Sequence, residues 1–198
     1  AVGNLDRALA GGVEMMSRVP FLGDNASYYT DASLPKRTRF IPVVLAADRL
    51  AEKEGVSREQ LDAVALVSQQ RAGAAEADPA LTASRVPLGG LSRDECARPQ
   101  STLQSLAAMA PSFAALATQY ADALDGPIDH RHTIGHAPPI CDGAGLALIG
   151  GAPKAADKPR ARILGYAESG GDPHASLLAG FSAMAKVYCT DVAMDVTT

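Results

Sequence analysis

Tryptophan is absent from this chain of 198 residues, and aromatic side chains make up only 5% of it. A platform on which the bases of a single strand could stack is therefore not expected. Cysteine is scarce. Cys96, Cys141 and Cys189 lie far apart, are odd in number and form no CxxC pair. That argues against a disulfide framework and for a reducing, cytoplasmic setting. No apolar run is long enough to span a bilayer, because Asp6, Arg7, Glu14, Arg18 and Lys36 punctuate the front of the chain. The first residues, from Ala1 to Arg7, lack a basic region followed by an apolar stretch, so no secretory signal is expected. An excess of positive charge is also missing: 18 Lys and Arg against 22 Asp and Glu give a net charge of −4. Neither unspecific nucleic-acid binding nor a membrane partner is expected.

What is present is a globular composition, 47% hydrophobic and 20% charged, in a chain long enough to bury a real core. Arg7 to Val13 reads as a buried strand ending on the pair Gly11-Gly12. Residues 20–42 are broken by Pro20, Gly23, Asp24, Asn25, Pro35 and Pro42. Helices are predicted from Val44 to Glu54, closed by Gly55, and from Ser57 to Glu76, opened by a Ser57–Gln60 capping-box spacing. The second helix is expected to bury Leu61, Val64, Ala65, Ser68 and Ala72. Two more helices are predicted over Thr102–Ala110 and Pro111–Leu124. Residues 128–133 read as β-compatible, Leu146–Ile149 and Ala161–Tyr166 as strands, and Ser176–Val187 as a last helix. A linker over 152–159 and a tail from Tyr188 to Thr198 carry no periodicity. The order implies an α/β protein with a three-stranded sheet, thinner than the usual ~4–6 strands. Such a sheet would leave an apolar edge in need of cover.

Few residues suggest chemistry on their own. His130 and His132, two apart on an expected strand, would share a face, with His136 and Cys141 close behind. Read as a metal cluster, the set lacks acidic ligands and the fixed spacing of known sites. The reading kept is two polar strand residues and a loop imidazole with ordinary hydrogen bonds, and no metal is expected. His174 reads as a turn or helix-start residue. Cys141, before Asp142-Gly143, could be a nucleophile at a sharp turn, but a small buried hydrophobe fits it better. Cys96 lies among Asp94, Glu95 and Arg98, where local carboxylates disfavour a thiolate. Neither Gly11-Gly12 nor Gly150-Gly151 forms a dinucleotide-binding turn.

Several segments in order point further. Ala10-Gly11-Gly12-Val13-Glu14-Met15-Met16-Ser17-Arg18-Val19-Pro20 comes first. Ser57 to Asp62 follows, with Ser68-Gln69-Gln70-Arg71-Ala72, then Asp94-Glu95, Arg98-Pro99 and Pro111-Ser112-Phe113. His130 to Ala137, Cys141-Asp142-Gly143-Ala144 and Gly170-Gly171-Asp172-Pro173 complete the series. In order and spacing this series resembles the middle of the thiolase family, from about residue 7 to 186. The resemblance implies a partial thiolase-like α/β fold, a thin sheet remnant carrying a helical loop-domain insertion. Residues 1–19 would close the N-terminal half, and 20–125 would form the loop domain. Residues 126–151 would hold the last strand of that half, and 152–198 the start of the C-terminal half with a divergent tail.

The family joins or cleaves acyl chains on coenzyme A, using a cysteine thiolate, an acid/base cysteine, an activating histidine and an oxyanion hole. The resemblance therefore implies an acyl-CoA acyltransferase of fatty-acid or related acyl-chain metabolism. It implies coenzyme A or acyl-CoA as ligand, no covalent cofactor, and a homo-oligomer or a thiolase partner. Arg98 takes the loop-domain position that meets the nucleotide end of coenzyme A. Ile134, Gly135 and Ala137 take the loop along the pantetheine arm. His136 replaces a usual asparagine, Pro138 a usual serine, and Pro42-Val43 a usual His-Met pair. The family's nucleophilic cysteine lies upstream of the Gly11-Gly12 segment, and its later His and Cys motifs lie downstream of this sequence. Cys96, Cys141 and Cys189 match no catalytic cysteine, and His174 does not match the activating histidine. No catalytic residue is assigned, and the chain is not expected to run the reaction alone. A non-catalytic module that binds coenzyme A or pairs with a full thiolase is the alternative.

Overall fold

The computed structural model describes residues 6–20, 23–27, 31, 33–151 and 161–188. The elements are β1 (Arg7–Met15), α1 (Ser33–Thr38), α2 (Val43–Lys53), α3 (Arg58–Glu76), α4 (Pro79–Thr82), α5 (Leu103–Ala107), α6 (Ala114–Gln119), β2 (Asp142–Gly150) and α7 (Ser176–Tyr188). Short 3-10 turns occupy Ala121–Ala123 and Pro173–Ala175. Cys189, the expected linker over 152–159 and the tail beyond Tyr188 lie outside the described residues. The chain divides into two compact units. One is helical, Ser27–Pro139 with Gly171–Leu177. The other is built from Ala1–Ala26, Ile140–Gly170 and Leu178–Thr198.

In the helical unit, local sequence sets the two main helices. Gly55 follows α2 at φ +65°, and the Val56 and Gly55 N–H groups close back on the Ala51 and Glu52 carbonyls. This Schellman-type stop is easily reached only by a residue without a side chain. One turn later Ser57 and Gln60 exchange the two hydrogen bonds of the expected capping box, and α3 begins. α2 buries Leu45, Ala46, Asp48 and Ala51. Ile41, Leu45, Ala46, Tyr120 and Ala123 form the core, with Phe40, Phe113, Leu116 and Ile128 against it. The Phe40 and Tyr120 rings meet edge to face at 6.0 Å.

α3 presents a different face from the one its apolar residues suggest. Val64, Ser68 and Ala72 are exposed, while Asp62, Ala65, Leu66, Gln69 and Gly73 face inward. What lies against it is helix α5, together with loops that offer hydrogen-bonding groups and small side chains. At Gly73 a Cβ would stand 2.5 Å from the Pro99 Cβ, so only glycine lets the 94–101 loop lie this close.

Helix is shorter than predicted over 102–124. α5 ends at Ala107, and 110–113 is irregular before α6. Here tertiary bonds displace helical ones: the Ser112 N–H donates to the His132 carbonyl, and Ser112 Oγ accepts the Ile134 N–H. Residues 128–133 likewise form no strand. They run as a strap along α2, fastened by its side chains. Arg49 donates to the Gly126 and Pro127 carbonyls, and Arg131 reaches the Ala51 and Val56 carbonyls.

In the second unit, β1 and β2 pair antiparallel from Arg7↔Gly150 to Met15↔Asp142. The sheet among the described residues is two-stranded, not three. Residues 161–166 find no neighbouring strand to satisfy an extended backbone, and Ile163 and Tyr166 are exposed. The Ser17 N–H and Oγ–H both donate to the Asp142 carboxylate, at 2.8 and 2.5 Å, fixing the end of β1 beside the start of β2. One face of the ribbon carries Leu9, Val13, Leu146 and Leu148, all exposed. No helix among the described residues is long and apolar enough to cross a membrane.

Candidate functional site

Two buried carboxylates organise the helical unit, and neither is conspicuous in the sequence. Asp48 sits on the inward face of α2, three residues from Leu45 and from Ala51, and is fully buried. Its Oδ1 accepts the backbone N–H of Arg131 at 3.1 Å and of His132 at 2.9 Å. The His132 Nδ1 lies 2.6 Å from the same oxygen, and the His130 Nδ1 lies 2.9 Å from Oδ2. Four donors thus converge on one carboxylate. Burial pushes the Asp48 carboxyl up, but the His132 ring and N–H, the His130 ring and the Arg131 N–H outweigh it and bring it down to about 2. The pair of histidines expected to share a strand face does share a partner, but through a strap and not a strand.

Asp62 stands one turn into α3, where it faces Arg58 at the i,i+4 spacing. The Arg58 Nε donates to Asp62 Oδ1 at 2.9 Å, while its Nη2 donates to the carbonyls of Leu106 and Met109, closing the end of α5. His136 Nε2 meets the same Asp62 oxygen at 2.7 Å. The other ring nitrogen, Nδ1, accepts the Thr133 N–H at 3.0 Å. Those partners assign the tautomer: neutral, with the proton on Nε2. Burial holds His136 below the ordinary histidine range despite the neighbouring Asp62. Asp62 is raised by burial, but hydrogen bonds from Arg58 and His136 leave it below the usual carboxylate value.

The residues expected to meet coenzyme A fall on two loops of this same unit. Arg98 is exposed. Its N–H is held by Gln69 Oε1 at 2.6 Å, and its Nη1 donates to the Glu95 and Cys96 carbonyls. Ile134 is also exposed, and Ala137 is half-buried. Gly135 packs where a Cβ would lie 2.9 Å from the Leu106 side chain and 3.0 Å from the Met109 sulfur. Both loops are fastened to one face of α3, at Asp62 for the second and at Gln69 and Gly73 for the first. Seven residues of helix separate Asp62 from Gln69, roughly 10 Å along the axis. Pro138 offers no donor. A cleft of about 480 Å³ is bordered by Ser57, Arg58, Pro111, Asp129, His130 and Arg131; the four expected residues are not part of it.

The other candidates are placed as follows. Cys141 is exposed, which corrects its reading as a small buried hydrophobe: it precedes β2, all of whose residues face solvent. Cys96 is half-buried. His174 lies in the 3-10 turn before α7, as expected, with Nδ1 3.3 Å from Asp125, which also pairs with Arg39. No group of three His, Cys, Asp or Glu among the described residues is arranged to hold a metal ion. Each of the four imidazoles is committed to a carboxylate: His130 and His132 to Asp48, His136 to Asp62, and His174 to Asp125. Sequence reasoning missed Asp48 and Asp62. The available signals were an acid inside the apolar stripe of α2 and an Arg four residues before an Asp on α3.

Acid should undo this unit in two stages. His136 is harder to protonate folded than unfolded, so its contribution is complete above its ordinary value of 6.5 and is lost as pH falls through the lower folded value. Asp48 acts likewise below 3.8, and its descent to about 2 corresponds to about 2 kcal/mol. Urea midpoints followed by far-UV circular dichroism are expected to decline from about pH 7.5 to 5.5, and again from about pH 4 to 2. A midpoint that rises on the first step would contradict the assignment of His136 as neutral.

The comparisons with known proteins bear on most of the chain. The family model for the thiolase N-terminal domain matches residues 1–150. A beta-ketoadipyl-CoA thiolase of Pseudomonas putida is 35% identical over 201 aligned positions, covering 87% of this chain and 47% of its own length. The human mitochondrial 3-ketoacyl-CoA thiolase is 33% identical, covering 83% of this chain and 44% of its own length. The 3-ketoacyl-CoA thiolase FadA of Escherichia coli (strain K12) is 31% identical, covering 86% and 44%. The chain thus spans about half the length of the curated relatives it matches. The ordered motifs from Gly11-Gly12 to Cys141-Asp142-Gly143 agree with these matches, and the chain belongs to the thiolase family.

Proposed function

We propose that this chain supplies the coenzyme A-binding loop domain, with flanking strands, of a thiolase-type acyl-CoA acyltransferase acting in fatty-acid or related acyl-chain metabolism. Arg98 meets the phosphates at the nucleotide end of the cofactor, and Ile134, Gly135 and Ala137 line the pantetheine arm. Residues 20–125 form the loop domain of this reading. These 198 residues contribute no nucleophile, so thioester transfer requires catalytic groups from elsewhere. The observation that carries the proposal is the common anchorage of the two loops on α3, which holds Arg98 and Ile134 in a fixed relation.

Calorimetric titration with coenzyme A, beside a thiolysis assay on acetoacetyl-CoA, tests this. Binding without turnover is the expected result. Turnover would mean that Cys96, Cys141 or Cys189 has been recruited, and would overturn the assignment. Arg98→Ala is expected to weaken coenzyme A binding about tenfold, the loss of one charge-assisted phosphate contact. Gly73→Ala should weaken it too, by pushing Pro99 and the Arg98 loop off α3.

A second reading is favoured by one feature of the ribbon. Leu9, Val13, Leu146 and Leu148 leave an apolar face open to solvent, which suits a pairing surface for a second copy or for a full thiolase. In that reading the protein is a non-catalytic cytoplasmic module. Sedimentation as a compact monomer at low concentration, alone and with a full thiolase, would exclude it.

A further inference from the structure

His136 is 5% exposed and uses both ring nitrogens, one as donor and one as acceptor. The acceptor, Nδ1, faces a backbone N–H that is itself buried, that of Thr133. A second proton on the ring would place an N–H against the Thr133 N–H at 3.0 Å, with only the more distant Thr133 Oγ1, at 3.4 Å, to accept it. Thr133 would then lose its partner, and leaving a buried donor unmet is strongly unfavourable. Thr133 also holds the turn that follows it: its carbonyl accepts the His136 N–H, and its Oγ1 accepts the Gly135 N–H. Loss of one bond therefore loosens three residues together.

We propose that His136 is a proton-operated latch on the Ile134–Ala137 loop. The neutral ring locks the Thr133 turn while tying it to α3 through Asp62, and protonation at Nδ1 releases the turn. The groups facing the ring are Asp62 and Arg58 from α3 and His132 from the strap. Asp62 favours the added proton, whereas Arg58 and His132 oppose it, and Arg58 shares the Asp62 oxygen. Burial, the largest influence on the ring, outweighs Asp62, so release falls below the ordinary histidine range. The latch stands on the two hydrogen bonds of the ring and is independent of which ligand the loop touches.

Amide hydrogen exchange and imidazole chemical shifts, read by NMR on the whole chain, test it. The Thr133 protection factor, corrected for the intrinsic exchange rate, is expected to fall at least tenfold between about pH 7 and 5. Leu45 and Ala46 in the core should lose no more protection than the fall in global stability accounts for. In His136→Gln, which keeps a donor for Asp62 but cannot titrate, Thr133 should show no such fall. Constant protection in the natural chain, or an equal fall in the variant, would overturn the latch. Should the variant not fold, the natural chain alone decides: the His136 ring and the Thr133 amide must titrate with one midpoint, and separate midpoints would refute the coupling.

Discussion

Asp48→Ala is expected to destabilise the helical unit by about 4 kcal/mol, the largest effect of any single substitution considered. The change removes one carboxylate and leaves four donors facing the space it occupied. The two imidazoles are partly accessible and can turn toward water. The N–H groups of Arg131 and His132 belong to a strap lying on the helix and cannot. Asp48→Asn keeps the shape but presents an NH2 group to at least one of the same donors, so roughly half the loss should remain. Urea denaturation at about pH 7 gives the measurement, with an unchanged slope as the sign that the folded state alone was altered. A loss below about 1 kcal/mol would show that water can replace the carboxylate.

Arg58→Ala should follow at about 3 kcal/mol. The guanidinium serves three acceptors, the Asp62 carboxylate and the carbonyls of Leu106 and Met109. Its removal leaves a buried charge with only a neutral histidine beside it. Arg58→Lys should recover less than half, because an ammonium on a flexible stem cannot span a carboxylate and a helix end at once. A double-mutant cycle with Asp62→Asn is expected to give a coupling of about 1.5–3 kcal/mol. Additivity would mean that Arg58 acts chiefly as the cap of α5.

How far the sequence foretold this structure depended on the range of each interaction. The stop at Gly55 and the Ser57–Gln60 box are complete within a few residues, so α2 and α3 are legible to within a residue or so. The inward face of α3 was not. Leu61, Val64 and Ala65 suggest an oily stripe, but Val64 is exposed, and an acid, an amide and a glycine share the inward face with Ala65 and Leu66 against α5 and two loops. Hydrophobic periodicity finds helices that pack on a core; it misses one that serves as a rail for loops. The strap over 128–133 was hidden likewise: its Arg131 and His132 N–H groups go to Asp48 of α2, and its other backbone bonds go to Ser112 and His136. Arg98 and the Ile134–Ala137 loop were reached through family resemblance, not through residue chemistry. Asp48 and Asp62 were passed over because single acids on helices are usually solvated.

The register of the ribbon has a consequence for how the chain assembles. Ser17 and Asp142, which close its end, are 125 residues apart in sequence. Bringing two such distant points together from an unfolded coil would be slow, since loop-closure entropy must be met before any strand contact forms. Helices α2 and α3 lie wholly between those points and form on short-range contacts, while their strap reaches back 82–84 residues to Asp48. Their prior formation would shrink the effective distance the strands must bridge. The ribbon is then the last part to form, and substitutions in it should speed unfolding while leaving the folding rate nearly unchanged. Weakening the Asp48 hub should instead slow the pairing of strands it never touches.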